Sequence, residues 1–335
     1  MFGYIGSFPP PFGGVTVKNE IWFNELKRTV NIIKIKCSKN FTSVILFLFK
    51  FLYCRGFVIG IGGKNTRIIF TKLLAKYFPG KMKNSIIFIM GGSFATCIQE
   101  NRSLVKYFNC YKTVFVELDS MRKELVRLGF NNVYYVPNCR ERPYGTYAIR
   151  ESEGRLRCLV FSMIFPEKGV DIVLEASKIM SNVDFFFWGE IRKEYQSTFL
   201  NHIEQCENCS YCGVYKHKDQ EVYALYSQYD VLLFPTRWKS EGMPGTLIES
   251  KIAGVPAIVS AHAYNEELVE HLYDGIVMES NDVKGLVKAI ECLDQDRTLL
   301  KKMKQNAQNS SQHFFIDRYV QDVINRIEGN DYKRT

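Results

Sequence analysis

A chain of 335 residues with 46% hydrophobic composition is long enough for about two domains and too apolar to be disordered throughout. Its net charge is +9 with a one-sided distribution: residues 1–150 hold 23 Lys and Arg against 7 Asp and Glu, and the rest holds 21 against 28. No run supplies the roughly 20 uninterrupted apolar residues of a membrane-spanning helix; the nearest, FTSVILFLFKFLYC over 41–54, has 14 and contains Lys50.

The chain opens on a strand, FGYIG, and the stretch MFGYIGSFPPPFGG lacks the basic lead-in and unbroken apolar core of a secretory signal. Further strands read VNIIKIKC, FVIGIGG, SIIFIMGG, TVFVEL and NVYYVPN. Helical patterns lie between them: KNEIWFNELKRT, TRIIFTKLLAKYF and SMRKELVRLGF, the last with Leu125, Val126 and Leu128 as an apolar stripe and Gly129 as its stop. The segment 41–54 is expected either as a core helix or as a helix lying against a membrane. After the polar stretch CRERPYGTYAIRESEGR the alternation resumes with RCLVFS, VDFFFWG, CSYCGV, DVLLFPT, VPAIVS and DGIVME, and GVDIVLEASKIM carries Val170, Val173 and Leu174 on one helical face. Strands that are apolar throughout and alternate with helices predict parallel sheets covered on both sides. The expected organisation is α/β: a Rossmann-like domain over 1–139, a linker over 140–155, a second Rossmann-like domain over 156–312 and a closing helical segment over 313–335.

The basic first half implies an anionic partner surface. Nucleic acid is disfavoured by the absence of zinc-finger spacing, an RNA-binding aromatic motif or a compact basic helix. An anionic membrane fits better, since the basic residues flank apolar helices and each well-placed one contributes about 1 kcal/mol there; a solvated basic face is the plainer alternative. The ten cysteines are scattered through apolar runs, as expected of a protein in a reducing cytoplasm.

The stretch KSEGMPGTLIES (239–250) follows the buried-strand pattern DVLLFPT. Ligands of open α/β sheets bind beyond the carboxyl ends of the strands. Pro244 suits a first helical turn, and Gly242 and Gly245 let backbone approach a ligand. The amides and dipole of such a turn suit a diphosphate. Two carboxylates, Glu241 and Glu249, serve a phosphate site only if they bind something else, and sugar hydroxyls are the natural candidates. A sugar nucleotide spanning the turn meets both needs; a surface loop acid and a first-turn charge are the bland alternative.

These residues, with the opening GSFPPPFGGV, NVYYVPN, FPEKGVDIVLEA and AGVPAIVS, resemble the family 4 glycosyltransferases, retaining enzymes of the GT-B fold, and among them those that build bacterial surface polysaccharides such as capsule and O-antigen. The resemblance implies two Rossmann-like domains facing across a cleft, with the C-terminal helix crossing back to the first. It implies Glu241 on the donor sugar, Glu249 on the ribose and Lys168 of PEKG on the donor diphosphate, so Glu241 and Lys168 are the expected catalytic residues. Gly242, Met243, Pro244, Gly245 and Thr246 would border the donor, Gly13 and Gly14 would face its diphosphate, and Gly189 and Val214–Lys216 would lie near the base. The expected donor is a UDP- or GDP-sugar and the expected acceptor a lipid-linked or other oligosaccharide. No metal or other cofactor is expected, and the protein is expected at the inner face of the plasma membrane.

Two departures stand out. The family usually has Arg five residues before the PEKG lysine; Met163 stands here, and Arg237 or Lys239 is expected to replace its charge. All five histidines lie after residue 150, so the first-domain histidine of many relatives is missing. A catalytically inactive sugar-nucleotide-binding homologue is therefore an alternative. GIGGKN (60–65) suggests a nicotinamide oxidoreductase but lacks the third glycine and the acid about 20 residues on. Cys206, Cys209 and Cys212 form C-x2-C-x2-C, but Cys209 and Cys212 in one strand would point to opposite faces, so a shared metal is not expected. DQD (294–296) falls between late helices and reads as a solvated face.

Overall fold

The computed structural model describes residues 1–10, 13–35, 41–216, 221–262 and 264–329, with the side chains of 41–46 left out. Lys36 and Cys37 of the strand reading VNIIKIKC, His217, and 330–335 of the closing segment lie outside the described residues. The chain divides into two compact units, Met1–Arg142 with Phe314–Thr335, and Pro143–His313.

The first unit runs β1 (Phe2–Gly6), α1 (Gly14–Lys27), β2 (Ile32–Ile35), α2 (Phe41–Tyr53), β3 (Phe57–Gly60), α3 (Lys64–Tyr77), α4 (Pro79–Lys83), β4 (Ile86–Ile89), α5 (Phe94–Glu100), α6 (Val105–Phe108), β5 (Thr113–Val116), α7 (Asp119–Arg127) and β6 (Val133–Tyr135). Its strands pair in parallel in the order β2-β1-β3-β4-β5-β6. Every residue of β3, β4 and β5 is buried, because helices cover both faces. Trp22, Phe23 and Leu26 of α1 pack with Tyr4, Phe88 and Phe115 in a core that Val323, Ile324 and Ile327 of the C-terminal helix (Val320–Glu328) complete. Asn19 ties the carboxyl ends of β1 and β3 by donating to the carbonyls of Ser7 and Gly60, both at 2.8 Å. Beside it the Lys18 ammonium, 2% exposed, meets the Glu117 carboxylate just beyond β5 at 2.7 Å.

The second unit continues with β7 (Leu156–Phe161), α8 (Val170–Ile179), β8 (Val183–Trp188), α9 (Gln196–Gln205), β9 (Cys209–Gly213), α10 (Glu221–Tyr226), β10 (Val231–Phe234), α11 (Gly245–Ile252), β11 (Ala257–Val259), α12 (Asn265–Leu268), β12 (Gly275–Val277), α13 (Val283–Gln295) and α14 (Arg297–Ser310). The parallel order is β12-β11-β10-β7-β8-β9. β7 and β10 are central neighbours, in register at Cys158 with Val231 and at Leu159 with Leu232. The segments leaving their carboxyl ends therefore lie side by side. Lys304 of α14 holds the segment entering β7 to this sheet: its ammonium donates to the Arg150 carbonyl at 2.9 Å, to Ser152 Oγ at 2.7 Å and to Asp230 Oδ1 at 2.7 Å. The DQD acids are absorbed locally. Asp296 caps α14 by accepting from the Leu299 amide at 2.8 Å, and Asp294 accepts from Asn182 Nδ2 at 2.8 Å.

Candidate functional site at the carboxyl edge of the second sheet

β10 leaves the sheet through Pro235 and Thr236. Ser260, just past β11, donates its hydroxyl to the Thr236 carbonyl at 2.6 Å and fixes this exit. The neighbouring turn, Pro166–Lys168, follows β7. Its backbone is bound to the β10 exit: the Arg237 amide donates to the Glu167 carbonyl at 2.8 Å, and the Arg237 guanidinium to the Pro166 carbonyl at 2.8 Å. Gly169 makes this approach possible. It sits at φ +78°, and a Cβ there would lie 2.1 Å from the Pro235 carbonyl oxygen. Gly169→Ala is expected to cost at least about 1–3 kcal/mol, the scale of a strained backbone position, and to displace Lys168, which precedes it. Chemical denaturation measures the stability loss.

The contact brings Lys168 onto Glu241. The ammonium donates to Glu241 Oε2 at 2.5 Å, with side chains 17% and 12% exposed. Thr236 Oγ1 donates to the same oxygen at 3.1 Å while accepting from the Trp238 amide at 3.2 Å. Two residues 73 apart in sequence thus form a half-buried ion pair beyond the carboxyl edge, and Oε1 of Glu241 takes no partner among the described residues. A carboxylate held this way keeps accepting capacity for a ligand hydroxyl.

α11 starts directly behind. Pro244 occupies its N-cap position without a side-chain cap, so the first-turn amides are left for another acceptor. Glu249, 7% exposed, lies one turn inside. Thr246 donates its hydroxyl to the Phe161 carbonyl at 3.2 Å and accepts from the Tyr226 hydroxyl at 2.6 Å. The same phenol lies 3.4 Å from Glu249 Oε2, long for a hydrogen bond, so its single proton goes to Thr246. Gly242 and Gly245 are half-buried in this turn, and Met243 is buried.

The other sequence-predicted residues fall in several places. The Arg237 guanidinium is engaged away from the pair, 2.9 Å from each Asp171 oxygen in the first turn of α8. Lys239 is exposed, and Met163 is 46% exposed. Gly189 has φ +145° and lies so close to Ser162 that a Cβ would sit 1.7 Å from its carbonyl oxygen. Val214 and Lys216 are exposed on either side of Tyr215, whose ring approaches Phe161 and Trp188 at 6.0 and 6.4 Å. In the first unit, Gly13 caps α1 with its amide on Thr16 Oγ1 at 3.0 Å, and a Cβ at Gly13 or Gly14 would meet nothing within 4 Å. Of the C-x2-C-x2-C cysteines, Cys206 and Cys209 come together, while Cys212 lies near Tyr229.

Sequence reading missed Thr236, Tyr226 and Arg192. Arg192 stacks over the Phe165 ring at 3.7 Å, beside Trp238 and 3.9 Å from Glu167. A hydroxyl residue directly after a buried strand was the available signal for Thr236; Tyr226 and Arg192 reach the site only through tertiary packing.

Two parallel six-stranded sheets of this order define an α/β fold of the GT-B type. Solved structures share it over nearly the whole chain. Anabaena HepE, solved with UDP and with UDP-glucose, is 12% identical with TM-scores of 0.73 and 0.75, covering 98% of this chain and 99–100% of its own. Sucrose-phosphate synthase from Thermosynechococcus elongatus is also 12% identical, with a TM-score of 0.75 over 96% of this chain and 97% of its own. In sequence, residues 148–310, within the second unit apart from its first few residues, match the family model described as glycosyl transferases group 1. Among curated proteins, the UDP-Gal:alpha-D-GlcNAc-diphosphoundecaprenol alpha-1,3-galactosyltransferase of Escherichia coli is 31% identical over 106 residues, 29% of this chain and 27% of its own. The amylovoran biosynthesis glycosyltransferase AmsK of Erwinia amylovora is 23% identical over 150 residues, 42% of this chain and 36% of its own. The matches thus span about a quarter to a third of those relatives' length.

Proposed function

We propose that the protein is a retaining glycosyltransferase that moves a sugar from a UDP- or GDP-sugar to a lipid-linked or other oligosaccharide acceptor in polysaccharide biosynthesis. The observation that carries this reading is the Lys168–Glu241 pair beyond the carboxyl end of β10, next to the uncapped start of α11. The solved neighbours with UDP and UDP-glucose, and the relatives named for polysaccharide synthesis, support it.

In this reading the donor diphosphate lies against the first-turn amides of α11 and takes the Lys168 ammonium from Glu241. Glu241 then accepts from donor-sugar hydroxyls and Glu249 from the ribose. The 242–246 turn, Gly189 and the Val214–Lys216 loop border the nucleotide, and Lys239 or a released Arg237 supplies the charge that Met163 lacks. The acceptor hydroxyl attacks the anomeric carbon on the face the diphosphate leaves. The carbon–oxygen bond breaks toward the phosphate, and the departing phosphate oxygen takes the hydroxyl proton. Positioning and stabilisation of the phosphate charge supply the rate, and no metal takes part.

Membrane association is part of the proposal. No helix among the described residues is long and apolar enough to cross a membrane. Yet α2 exposes Leu48, Phe49, Leu52 and Tyr53, and α3 exposes Ile69, Leu73 and Tyr77, with Lys50, Lys72 and Lys76 beside them. Such a surface suits a peripheral site on an anionic inner leaflet. A second reading, a sugar-nucleotide-binding homologue without turnover, is favoured by the exposed Met163 and by the lack of histidine in residues 1–150.

A thermal-shift panel of UDP-, GDP-, ADP- and CMP-sugars tests the site and names the base. One of the UDP or GDP series is expected to stabilise the protein by about 2.7 kcal/mol at a hundredfold excess over Kd. No response to any of the four would remove the nucleotide site, and a clear response without transfer to any lipid-linked acceptor would favour the second reading.

A further inference from the structure

A different cluster lies at the opposite, amino-terminal edge of the second sheet, where α9 ends and β9 begins. The side-chain donor atoms of His202, Cys206 and Cys209 all lie within 4.8 Å of one another. We propose that this trio is a structural binding site for a soft divalent cation, Zn2+, separate from the transfer chemistry.

The trio, spread over at most 4.8 Å, stands within about 1 Å of the separations that ion requires. Zinc–sulfur bonds of about 2.3 Å and zinc–nitrogen bonds of about 2.0–2.1 Å place tetrahedral ligands roughly 3.3–3.8 Å apart. Ser177 Oγ, on α8, stands 3.2 Å from His202 Nε2 and 3.5 Å from Cys206 Sγ. Its proton is directed to the Leu174 carbonyl at 2.8 Å, which turns its lone pairs toward the trio. Ser177, or a water in its place, supplies the fourth position. The spacing has a local origin: His202 and Cys206 are four residues apart at the end of one helix, and Cys209 begins the next strand.

The surroundings hold the donors in place. Asn208 donates to the carbonyls of Ser177 at 3.2 Å and of Met180 and Val183 at 2.9 Å, which fixes the turn ahead of Cys209; the bond from the Cys206 thiol to its Oδ1, 3.3 Å, is given up when the thiolate forms. Outer partners of this kind fix ligand orientation. His202 also lines an open cavity of about 760 Å³, together with Asp171, Glu175, Lys178, Tyr195 and Asn201, so the histidine side of the trio faces open space. Binding forms two zinc–sulfur bonds and one zinc–nitrogen bond. The two thiol protons leave to solvent, and the imidazole keeps its proton on Nδ1.

The test is titration of the full-length reduced protein with Co2+, followed by competition with Zn2+. One equivalent of Co2+ is expected to give a thiolate-to-cobalt absorption band and the visible bands of tetrahedral cobalt, both bleached by one equivalent of Zn2+. Cys206→Ser, at a half-exposed position, should abolish the band, and His202→Asn should weaken binding by more than the roughly 100-fold upper range for an outer-shell partner. Cys212→Ser should leave the titration unchanged. Absence of a stoichiometric band in the folded protein, survival of the band in Cys206→Ser, or its loss in Cys212→Ser would overturn the site.

Discussion

Glu241→Gln is expected to lower kcat for sugar transfer at least 10²–10³-fold, about 2.7–4 kcal/mol of transition-state stabilisation by analogy with loss of a single preorganised electrostatic partner. The substitution keeps the size of the side chain and an oxygen for Thr236 and Lys168, so far-UV circular dichroism and cooperative unfolding should be preserved. The negative charge that pairs with Lys168 in the structure, and that donor-sugar hydroxyls would meet in the proposed complex, is lost. Glu249→Gln provides the contrast: a buried carboxylate proposed to hold the ribose should raise the donor KM more than it lowers kcat. Near-normal turnover of Glu241→Gln would remove Glu241 from the mechanism and leave Lys168 with a purely structural partner.

Lys304→Met is expected to destabilise the second unit by about 3–5 kcal/mol, the cost of stranding one partner of a buried pair. The Lys304 and Asp230 side chains are 1% and 0% exposed. Asp230 also accepts from Ser152 Oγ at 2.7 Å and from the Arg157 amide at 2.9 Å. Burial alone would raise the Asp230 carboxyl; the Lys304 charge and the hydrogen bonds from Lys304, Ser152 and Arg157 outweigh it and hold the group below its ordinary value. Burial lowers the Lys304 ammonium in turn, so the gain from the pair rests on the carboxylate. A carboxyl depressed in the folded state contributes stability that is present above its unfolded value, near 3.9. That contribution is lost as the pH falls through the lower folded value. Urea unfolding midpoints between pH 7 and pH 3 should therefore drop more steeply for the wild type than for Lys304→Met. Parallel pH profiles would contradict this role.

The fold was legible because a parallel strand covered on both faces must be apolar throughout. DVLLFPT, SIIFIMGG and VDFFFWG each contain an observed strand, and GVDIVLEASKIM contains α8. The candidate site was legible only where one local segment carries it. KSEGMPGTLIES holds its glycines, its proline and both acids within twelve residues, and PEKG announces its lysine. What spacing did not contain was pairing. That Lys168 rests on Glu241, or that Arg237 is held by Asp171, depends on how β7 and β10 lie beside each other and on the tight approach of Gly169 to Pro235. The cysteine pattern shows the same limit. Alternation along β9 separates Cys209 from Cys212, as the period of a strand requires, but the histidine that joins Cys206 and Cys209 sits one helical turn upstream, outside the pattern that drew attention.

The most direct measurement is a crystal structure of the protein with the nucleoside diphosphate selected by the thermal-shift panel. The account predicts diphosphate oxygens within about 2.7–3.2 Å of Lys168 Nζ and of the first-turn amides of α11, with the Lys168–Glu241 contact opened. A nucleotide bound elsewhere while Lys168 and Glu241 remain paired would contradict it.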